Sequence, residues 1–331
     1  SAVAWAGRMR TAWASRPRAG RTSAEGSTAW VSSKRRTTGG YRLVSAVSPA
    51  PSGTGKRRVP LSQGAEAVTL TSADGVRLQA VHRPSTAGGS DTGRMAIIVA
   101  HGFGGAHDQE RVDRIARLMT PYAGVIAVTQ RGHGASAGMT TLGHREPMDI
   151  EAATAWARDA GYDRVVTVGF SMGAAVVLRH AALLPRAQGY AGTDAVVAVS
   201  GPAFWSYRGT PPMRWLHRGI STMSGRAVIR AALGARVDPA PWPEPPPLPP
   251  TDAAARVREH GLPLLIVHGD ADAFFPGDHP RALHGAAPGS DLWLESGFGH
   301  AEGAIGEGLV RRIGEWAVGA GAPPAEPDER R

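Results

Sequence analysis

The chain of 331 residues contains no cysteine, which excludes disulfides, thiolate metal ligands and a cysteine nucleophile. No apolar run reaches the length of about eighteen residues that a transmembrane helix requires, so none is predicted. Acidic residues are nearly absent from residues 1–60, which hold one, Glu25, against twelve Lys and Arg. The rest of the chain has 25 basic and 27 acidic residues, and this balance gives no reason to expect a nucleic-acid-binding face.

The two ends of the chain have no apolar periodicity. Residues 1–65 are rich in Arg, Ser, Thr, Gly and Pro, and we predict a disordered basic extension there and a disordered tail over residues 319–331. The apolar run at 43–47 is too short for a secretory signal, so a cytoplasmic location is predicted. An export signal beginning at Arg35 and Arg36, or a basic arm that contacts nucleic acid or an anionic membrane, remains an alternative.

Between these ends, patterns typical of strands alternate with patterns typical of helices. The runs at 67–71 and 76–81 alternate apolar and polar residues around Asp74 and Gly75, which predicts a hairpin. Continuous apolar runs predict buried strands, and apolar residues at helical spacing predict the helices between them. The predicted strands are 95–100, 124–129, 164–168, 194–200, 262–268 and 291–294, and the predicted helices are 109–119, 147–160, 174–184 and 301–318.

This alternation predicts an α/β fold with a mostly parallel, doubly wound sheet. The alternation stops at residues 202–250, a segment with many aromatic residues and prolines that is longer than an ordinary connection. We therefore expect residues 66–201 and 251–318 to form the core, and residues 202–250 to form an inserted lid.

The pentapeptide GFSMG, centred on Ser171, lies between a predicted strand and a predicted helix. A serine on such a tight turn is typical of a nucleophile elbow, in which the glycines Gly169 and Gly173 allow the strand and the helix to approach closely. A second G-x-S-x-G match, centred on Ser136, has no strand before it and no helix after it. We predict that Ser171 is the nucleophile and that Ser136 is a loop serine.

A serine nucleophile needs a general base and a carboxylate that orients the base. Among twelve histidines, His300 is the predicted base, because it follows the last strand at the sheet edge where Ser171 also emerges. Asp270 and Asp272 both follow the strand that ends at His268. Asp272 lies further into the loop and is the predicted orienting acid. Asp270 is expected to cap local backbone N–H groups, and it remains the alternative acid.

Two backbone N–H groups are expected to bind the oxyanion that forms in acyl transfer. Met172 N–H lies at the positive end of the helix that follows the elbow. The second donor is expected in the glycine-rich loop HGFGG that follows the strand at 95–100, and Phe103 N–H is the candidate.

Taken together, these motifs resemble the α/β-hydrolase family, and in particular its bacterial members similar to serine aminopeptidases, monoacylglycerol lipases and cinnamoyl esterases. The resemblance covers about residues 66–318. It implies that Phe103 supplies an oxyanion donor, that the R-G-H-G-x-S motif ending at Ser136 is structural, and that Asp272 is the acid of an H-G-x-x-D-x-x-x-P motif. The chain departs from the family pattern in the bulky Phe275, in the proline-rich end of the insertion and in the basic extension.

The resemblance implies a serine hydrolase that acts on a carboxylic ester through an acyl-enzyme, with no metal or organic cofactor. A small-molecule ester is the expected partner. Trp205, Trp215 and Phe275 are the expected lining of a pocket for small to medium acyl groups. A peptidase, a perhydrolase or an acyltransferase with the same triad remains an alternative, as does a non-catalytic binding protein that kept only the fold.

Overall fold

The computed structural model describes residues 58–61, 64–87 and 94–320. Residues 1–57 and 321–331, which make up most of the predicted extension and tail, lie outside the described residues. At the start of the described part, Val59 N–H donates to Asp108 O at 2.9 Å, and Arg58 forms an ion pair with the Asp108 carboxylate.

A single eight-stranded sheet forms the centre of the described structure. Its strands are β1 (Glu66–Thr71), β2 (Arg77–Arg83), β3 (Met95–Ala100), β4 (Gly124–Thr129), β5 (Arg164–Phe170), β6 (Ala195–Val199), β7 (Leu264–Gly269) and β8 (Asp291–Glu295). The order in the sheet is β1-β2-β4-β3-β5-β6-β7-β8. The six strands β3 to β8 are parallel to one another, while β2 pairs antiparallel with both β1 and β4. The predicted hairpin and mostly parallel sheet are therefore confirmed.

Helices cover both faces of this sheet. They are α1 (Glu110–Met119), α2 (Pro147–Asp159), α3 (Met172–Leu183), α4 (Pro211–Ser221), α5 (Met223–Leu233), α6 (Pro250–Glu259), α7 (Asp278–Ala286), α8 (Ala301–Ala304) and α9 (Glu307–Gly319). Ile98 on β3 packs in one core layer with residues of α2, α3 and α6, whereas its neighbour Ile97 packs in the opposite layer with residues of α1 and α9. Successive residues of β3 thus bury on opposite faces, as a sheet between two helical layers requires.

Three features of the helices differ from the sequence-based prediction. The segment 202–250 contains the helices α4 and α5, which its prolines and arginines did not indicate. Helices α6 and α7 are also present beside β7. The predicted helix over 301–318 is divided into α8 and α9, because Ile305 is extended and buried and Gly306 is extended as well. The extended backbone at these two residues interrupts the helix.

Candidate active site

Ser171 lies at the junction of β5 and α3 in a conformation that is rare for a residue with a side chain. Its φ is 52° and its ψ is −114°. A Cβ atom at Gly169 would lie 2.2 Å from Gly173 O, and one at Gly173 would lie 2.3 Å from Ala100 O. Both positions therefore require glycine for the strand and helix to approach so closely. The turn holds the Ser171 side chain at the carboxyl edge of the sheet.

His300 connects Ser171 to Asp272. Its Nε2 lies 2.9 Å from Ser171 Oγ, and its Nδ1 lies 2.7 Å from Asp272 Oδ2. If Nδ1–H donates to the carboxylate, Nε2 is left as an acceptor that faces the serine hydroxyl. The three residues are far apart in the sequence, and the structure brings them into one chain of hydrogen bonds.

The side chain of Asp272 is buried and is held by the backbone of its own loop. Its Oδ1 accepts hydrogen bonds from Phe274 N at 2.8 Å and from Phe275 N at 3.0 Å. Burial acts to raise the pKa of Asp272, but the hydrogen bond and charge of His300 and the two backbone donors lower it further than burial raises it. Asp272 is therefore a carboxylate that can orient the imidazole and stabilise its protonated form.

The loop that carries Asp272 is anchored by His268. Nε2 of His268 lies 3.6 Å from Asp272 Oδ2, but it makes its hydrogen bond to Phe275 O at 2.8 Å. Burial lowers the pKa of His268, so the ring is neutral and acts as a donor that shapes the loop. The hydrogen bonds of the Asp270 carboxylate go to the loop after β8, where it accepts from Gly297 N at 2.7 Å and from Ser296 Oγ at 3.1 Å, while His300 bonds to Asp272.

The loop after β8 must cross the end of β7 to bring His300 towards β5. At the crossing, Phe298 O accepts a hydrogen bond from Ala271 N at 3.1 Å. A Cβ at Gly269 would lie 1.8 Å from the same oxygen, so only glycine allows the loop to pass there. The buried Phe298 side chain packs in the core and fixes the loop from below.

The loop after β3 lies beside Ser171, because β3 and β5 are neighbours in register. His101 holds the backbone of this loop. Gln130 N–H donates to His101 Nε2 at 3.1 Å, so the proton of the neutral ring is on Nδ1, which donates to Gly102 O at 2.7 Å. Gly105 N–H donates to the same oxygen at 3.0 Å. Because a peptide unit is planar, fixing Gly102 O also fixes the opposite direction of Phe103 N–H.

The ring of His101 remains neutral in the folded protein. Burial lowers the pKa of His101 well below its ordinary value, and the adjacent His133 lowers it further. The ring therefore keeps the tautomer that donates to Gly102 O. This agrees with the structural role that a histidine at the end of a strand suggests.

Glu302 is a buried residue of this site that sequence reasoning missed. Its Oε1 accepts a hydrogen bond from Gly102 N at 2.6 Å, which joins the His300 loop to the loop after β3. The preceding residue, Ala301, has a φ of 52°, and its N–H donates to Ser200 Oγ at 3.1 Å. No local sequence pattern identifies this contact, since it joins residues 200 positions apart.

Ser136 has a structural environment. Its Oγ donates to Thr129 O at 2.6 Å and accepts from Gln79 N at 2.9 Å. The adjacent Arg131 is buried, and its guanidinium donates to Asp149 Oδ1 at 2.7 Å and to Asp74 Oδ2 at 2.6 Å. Both groups connect the first hairpin to the core, as the prediction of a loop serine implied.

The residues expected to line the pocket lie in three different places. Phe275 is buried, with its ring centroid 5.6 Å from that of His300. Trp205 packs against Trp242 at 5.2 Å, and its Nε1–H donates to Pro247 O at 3.0 Å, so it connects the two ends of the insertion. Trp215 is 68% exposed on α4, and the structure does not bring it to the triad residues.

The insertion reaches loops on both sides of Ser171. At one end, Thr210 Oγ1 donates to Phe274 O at 2.8 Å, and the Phe274 ring stacks on His300 with a centroid distance of 4.2 Å. At the other end, Ile229 belongs to a small apolar cluster against which Phe103 packs. The helices α4 and α5 therefore connect the Asp272 loop with the loop after β3.

The described residues contain no group of three or more His, Asp and Glu side chains arranged to hold a metal ion. Within the same residues, no helix is both long enough and apolar enough to cross a membrane.

Comparisons with known proteins agree with this architecture. The family described as the alpha/beta hydrolase family matches residues 97–321. A search of curated proteins found no match. Among solved structures, the chain is similar to the esterase Pf2001 of Pyrococcus furiosus, with a TM-score of 0.58 and 19% identity over 77% of this chain and 92% of that one.

Two further structures are similar at a comparable level. The alpha/beta hydrolase GrgF from Penicillium sp. sh18 gives a TM-score of 0.56 and 17% identity over 76% of this chain and 97% of that one. XC6422 from Xanthomonas campestris, described as an a/b serine hydrolase without a lid, gives a TM-score of 0.50 and 20% identity over 80% and 99% of the two chains. At these identities the similarity concerns the fold alone.

Proposed function

This chain belongs to the alpha/beta hydrolase family, and on that premise we propose that it is a serine esterase that cleaves carboxylic esters of small to medium acyl groups. The observation that carries the proposal is the continuous hydrogen-bond chain from Ser171 Oγ through His300 to Asp272, with distances of 2.9 and 2.7 Å. A serine on a strained turn, a histidine and a buried carboxylate in this order are the groups that acyl transfer needs.

In the first half of the reaction, Ser171 Oγ attacks the carbonyl carbon of the ester while His300 Nε2 takes the hydroxyl proton. The C=O bond becomes a C–O⁻ single bond, and Phe103 N–H and Met172 N–H donate to that oxyanion. When the tetrahedral intermediate collapses, the protonated His300 gives its proton to the leaving alcohol and the C–O bond breaks. Asp272 stabilises the imidazolium throughout.

In the second half, water replaces the alcohol. His300 Nε2 takes a proton from the water as its oxygen attacks the carbonyl carbon of the acyl-enzyme. The oxyanion is bound by the same two N–H groups. Collapse releases the carboxylic acid, and His300 returns the proton to Ser171 Oγ. No external electron donor or acceptor takes part in either half.

The test compares Ser171→Ala with Ser136→Ala, using p-nitrophenyl butyrate as substrate. Removing the nucleophile should lower kcat by about 10⁴-fold or more, because the covalent route is lost. Ser136→Ala should leave kcat within about threefold of the wild type, provided that the variant remains folded. A fluorophosphonate probe should label the wild type and not Ser171→Ala. An active and labelled Ser171→Ala variant would disprove the proposal.

The preference for shorter acyl groups is supported by side chains that fill the space beside the loop after β3. A Cβ at Gly104 would lie 3.2 Å from Leu233 Cβ, which places the insertion directly against that loop. Phe103 packs against the small apolar cluster formed by Ile229, Ala235 and Val237. Because these side chains pack closely against the loop, we expect it to accommodate a long acyl chain poorly.

We expect kcat/KM for p-nitrophenyl butyrate to exceed that for the palmitate ester by at least about tenfold, which corresponds to about 1.4 kcal/mol in the barrier. Leu233→Ala should narrow this ratio, since it removes side-chain volume at the point of contact. Leu294→Ala, a matched change at an exposed position of β8, should leave the ratio unchanged. Wild-type activity on palmitate equal to that on butyrate would contradict the size preference while leaving the serine mechanism intact.

A further inference from the structure

The pair of helices α4 and α5, here called the helical hairpin, has an unusual charge. From residue 202 to residue 237 the chain contains no Asp and no Glu, but it contains six arginines. These are Arg208, Arg214, Arg218, Arg226, Arg230 and Arg236. The guanidinium groups of Arg214, Arg226 and Arg236 contact backbone carbonyls, and that of Arg218 contacts an aromatic ring. Arg214 donates to Gly209 O at 2.8 Å, Arg226 donates to Ile220 O at 3.1 Å, and Arg218 lies 5.8 Å from the Trp215 ring centroid. None of these contacts neutralises the positive charge.

The same hairpin exposes its apolar side chains. Trp215, Met223 and Val228 are 68%, 81% and 64% exposed, the highest values among large apolar residues in the described part of the chain. Each helix buries one side chain, Met213 on α4 and Ile229 on α5. The exposed residues of α4 lie opposite Met213 on the helix, and Met223 lies at the turn between the helices. The hairpin therefore has an inner face that packs on the core and an outer face that combines arginines with apolar groups.

We propose that this outer face is a docking surface for an anionic phospholipid bilayer. Exposed Trp and Met side chains next to arginines are typical of segments that lie in the membrane interface, where apolar groups enter the acyl boundary and cations meet lipid phosphates. A groove of about 620 Å³ on α4 is lined by Arg208, Arg214 and Arg218. Guanidinium groups are the side-chain groups best suited to binding phosphate oxygens.

Other occupants fit the outer face less well. A second copy of the chain would oppose this positive surface with an identical one, and like charges repel across an interface. A nucleic acid would satisfy the arginines, but it would leave Met223 and Val228 exposed to water. An anionic bilayer satisfies both kinds of group. This inference does not depend on the proposed esterase activity.

The absence of cysteine allows a direct test with the full chain. Ser224→Cys places one thiol on the exposed tip of the hairpin, next to Met223, where it can be labelled with a fluorophore sensitive to polarity. Tyr190→Cys gives a control label at another exposed position, which leads into the amino end of β6 at the opposite edge of the sheet. Both labelled proteins are mixed with vesicles of phosphatidylcholine alone, or of equal parts phosphatidylcholine and phosphatidylglycerol.

We expect the label at position 224 to shift to the blue and brighten with the anionic vesicles only, while the label at 190 does not change. In the Ser224→Cys background, Arg214→Gln with Arg218→Gln should weaken this response by about 30-fold, from about 1 kcal/mol for each arginine near the lipid surface. Arg256→Gln with Arg311→Gln, a matched loss of two exposed charges elsewhere, should not weaken it.

Two results would overturn the proposal. In the first, the protein sediments with anionic vesicles but the label at position 224 stays in a water-like environment, which would assign the binding to another part of the chain. In the second, the label responds equally to neutral vesicles or not at all. The fluorescence measurement with the label at position 224 can be repeated with Ser171→Ala added, so its outcome is separate from that of the esterase test.

Discussion

Replacement of Asp272 by Asn tests how the His300 ring is held. The carboxylate has two tasks: Oδ1 accepts from Phe274 N and Phe275 N, and Oδ2 accepts from His300 Nδ1. An Asn side chain of the same shape has one acceptor oxygen and one donor NH₂ group. It can serve either the two backbone donors or the histidine, but not both.

The arrangement in which the oxygen of the substituted Asn accepts from the two backbone donors has the lower energy. If the amide oxygen turned towards His300, the NH₂ group would face the two backbone donors, and each donor left unsatisfied away from water costs about 1–3 kcal/mol. The oxygen should therefore stay with Phe274 and Phe275, and the NH₂ group should face His300 Nδ1. The ring must then carry its proton on Nε2, where it donates to Ser171 Oγ and cannot accept the hydroxyl proton.

The expected loss in kcat for Asp272→Asn is about 10⁴-fold, or about 5.4 kcal/mol in the barrier. The assay is hydrolysis of p-nitrophenyl butyrate, with thermal unfolding measured on the same preparation to confirm that the variant is folded. Asp270→Asn is the matched control, since its carboxylate bonds to Gly297 N and Ser296 Oγ instead of His300. We expect Asp270→Asn to stay within about threefold of the wild type. A larger loss in Asp270→Asn than in Asp272→Asn would refute the assignment.

Three further predictions concern residues around this site. Glu302→Met should lower kcat by about 10²-fold, because Gly102 N–H loses its acceptor and the loop after β3 shifts. Glu302→Gln keeps an acceptor and should keep most of the activity. Equal losses in the two variants would exclude a positioning role for the Glu302 acceptor. Burial lowers the pKa of His279 to about 4, against an ordinary value of 6.5, and its Nδ1 accepts from Ala203 N at 2.9 Å. The unfolded chain therefore binds the proton more readily between pH 6.5 and 4, so the stability that is full above pH 6.5 falls as the pH drops through this window. In chemical unfolding experiments, His279→Asn should make the decrease in the free energy of unfolding between pH 6.5 and 4 smaller by on the order of 3 kcal/mol. A variant whose free energy of unfolding depends on pH as in the wild type would contradict this role of His279. Trp205→Ala should loosen the insertion and change the ratio of activities on butyrate and palmitate. Expressed as a free energy, this change should exceed the change in stability obtained from Tm.

The parts of the site that depend on local sterics can be predicted from the amino-acid sequence. The short, β-branched apolar runs favour the strands, because a sheet covered on both faces buries both sides of each strand. The glycines on either side of Ser171 specify the elbow, because a Cβ at 169 or 173 would collide with backbone oxygen atoms. The order of the strands along the chain also brings Asp272 and His300 to the edge where Ser171 emerges.

Tertiary structure decides what depends on contacts between distant segments. Glu302 meets Gly102 only because the loop after β8 crosses β7, and nothing near Glu302 in the sequence indicates that acceptor. The tautomer of His101 depends on Gln130 N–H on the adjacent strand. Trp215 is an aromatic residue of the kind that often lines a pocket, but the helix that carries it buries Met213 and leaves Trp215 exposed. Helical periodicity predicts which residues share a face, whereas only packing against the body decides which face is buried.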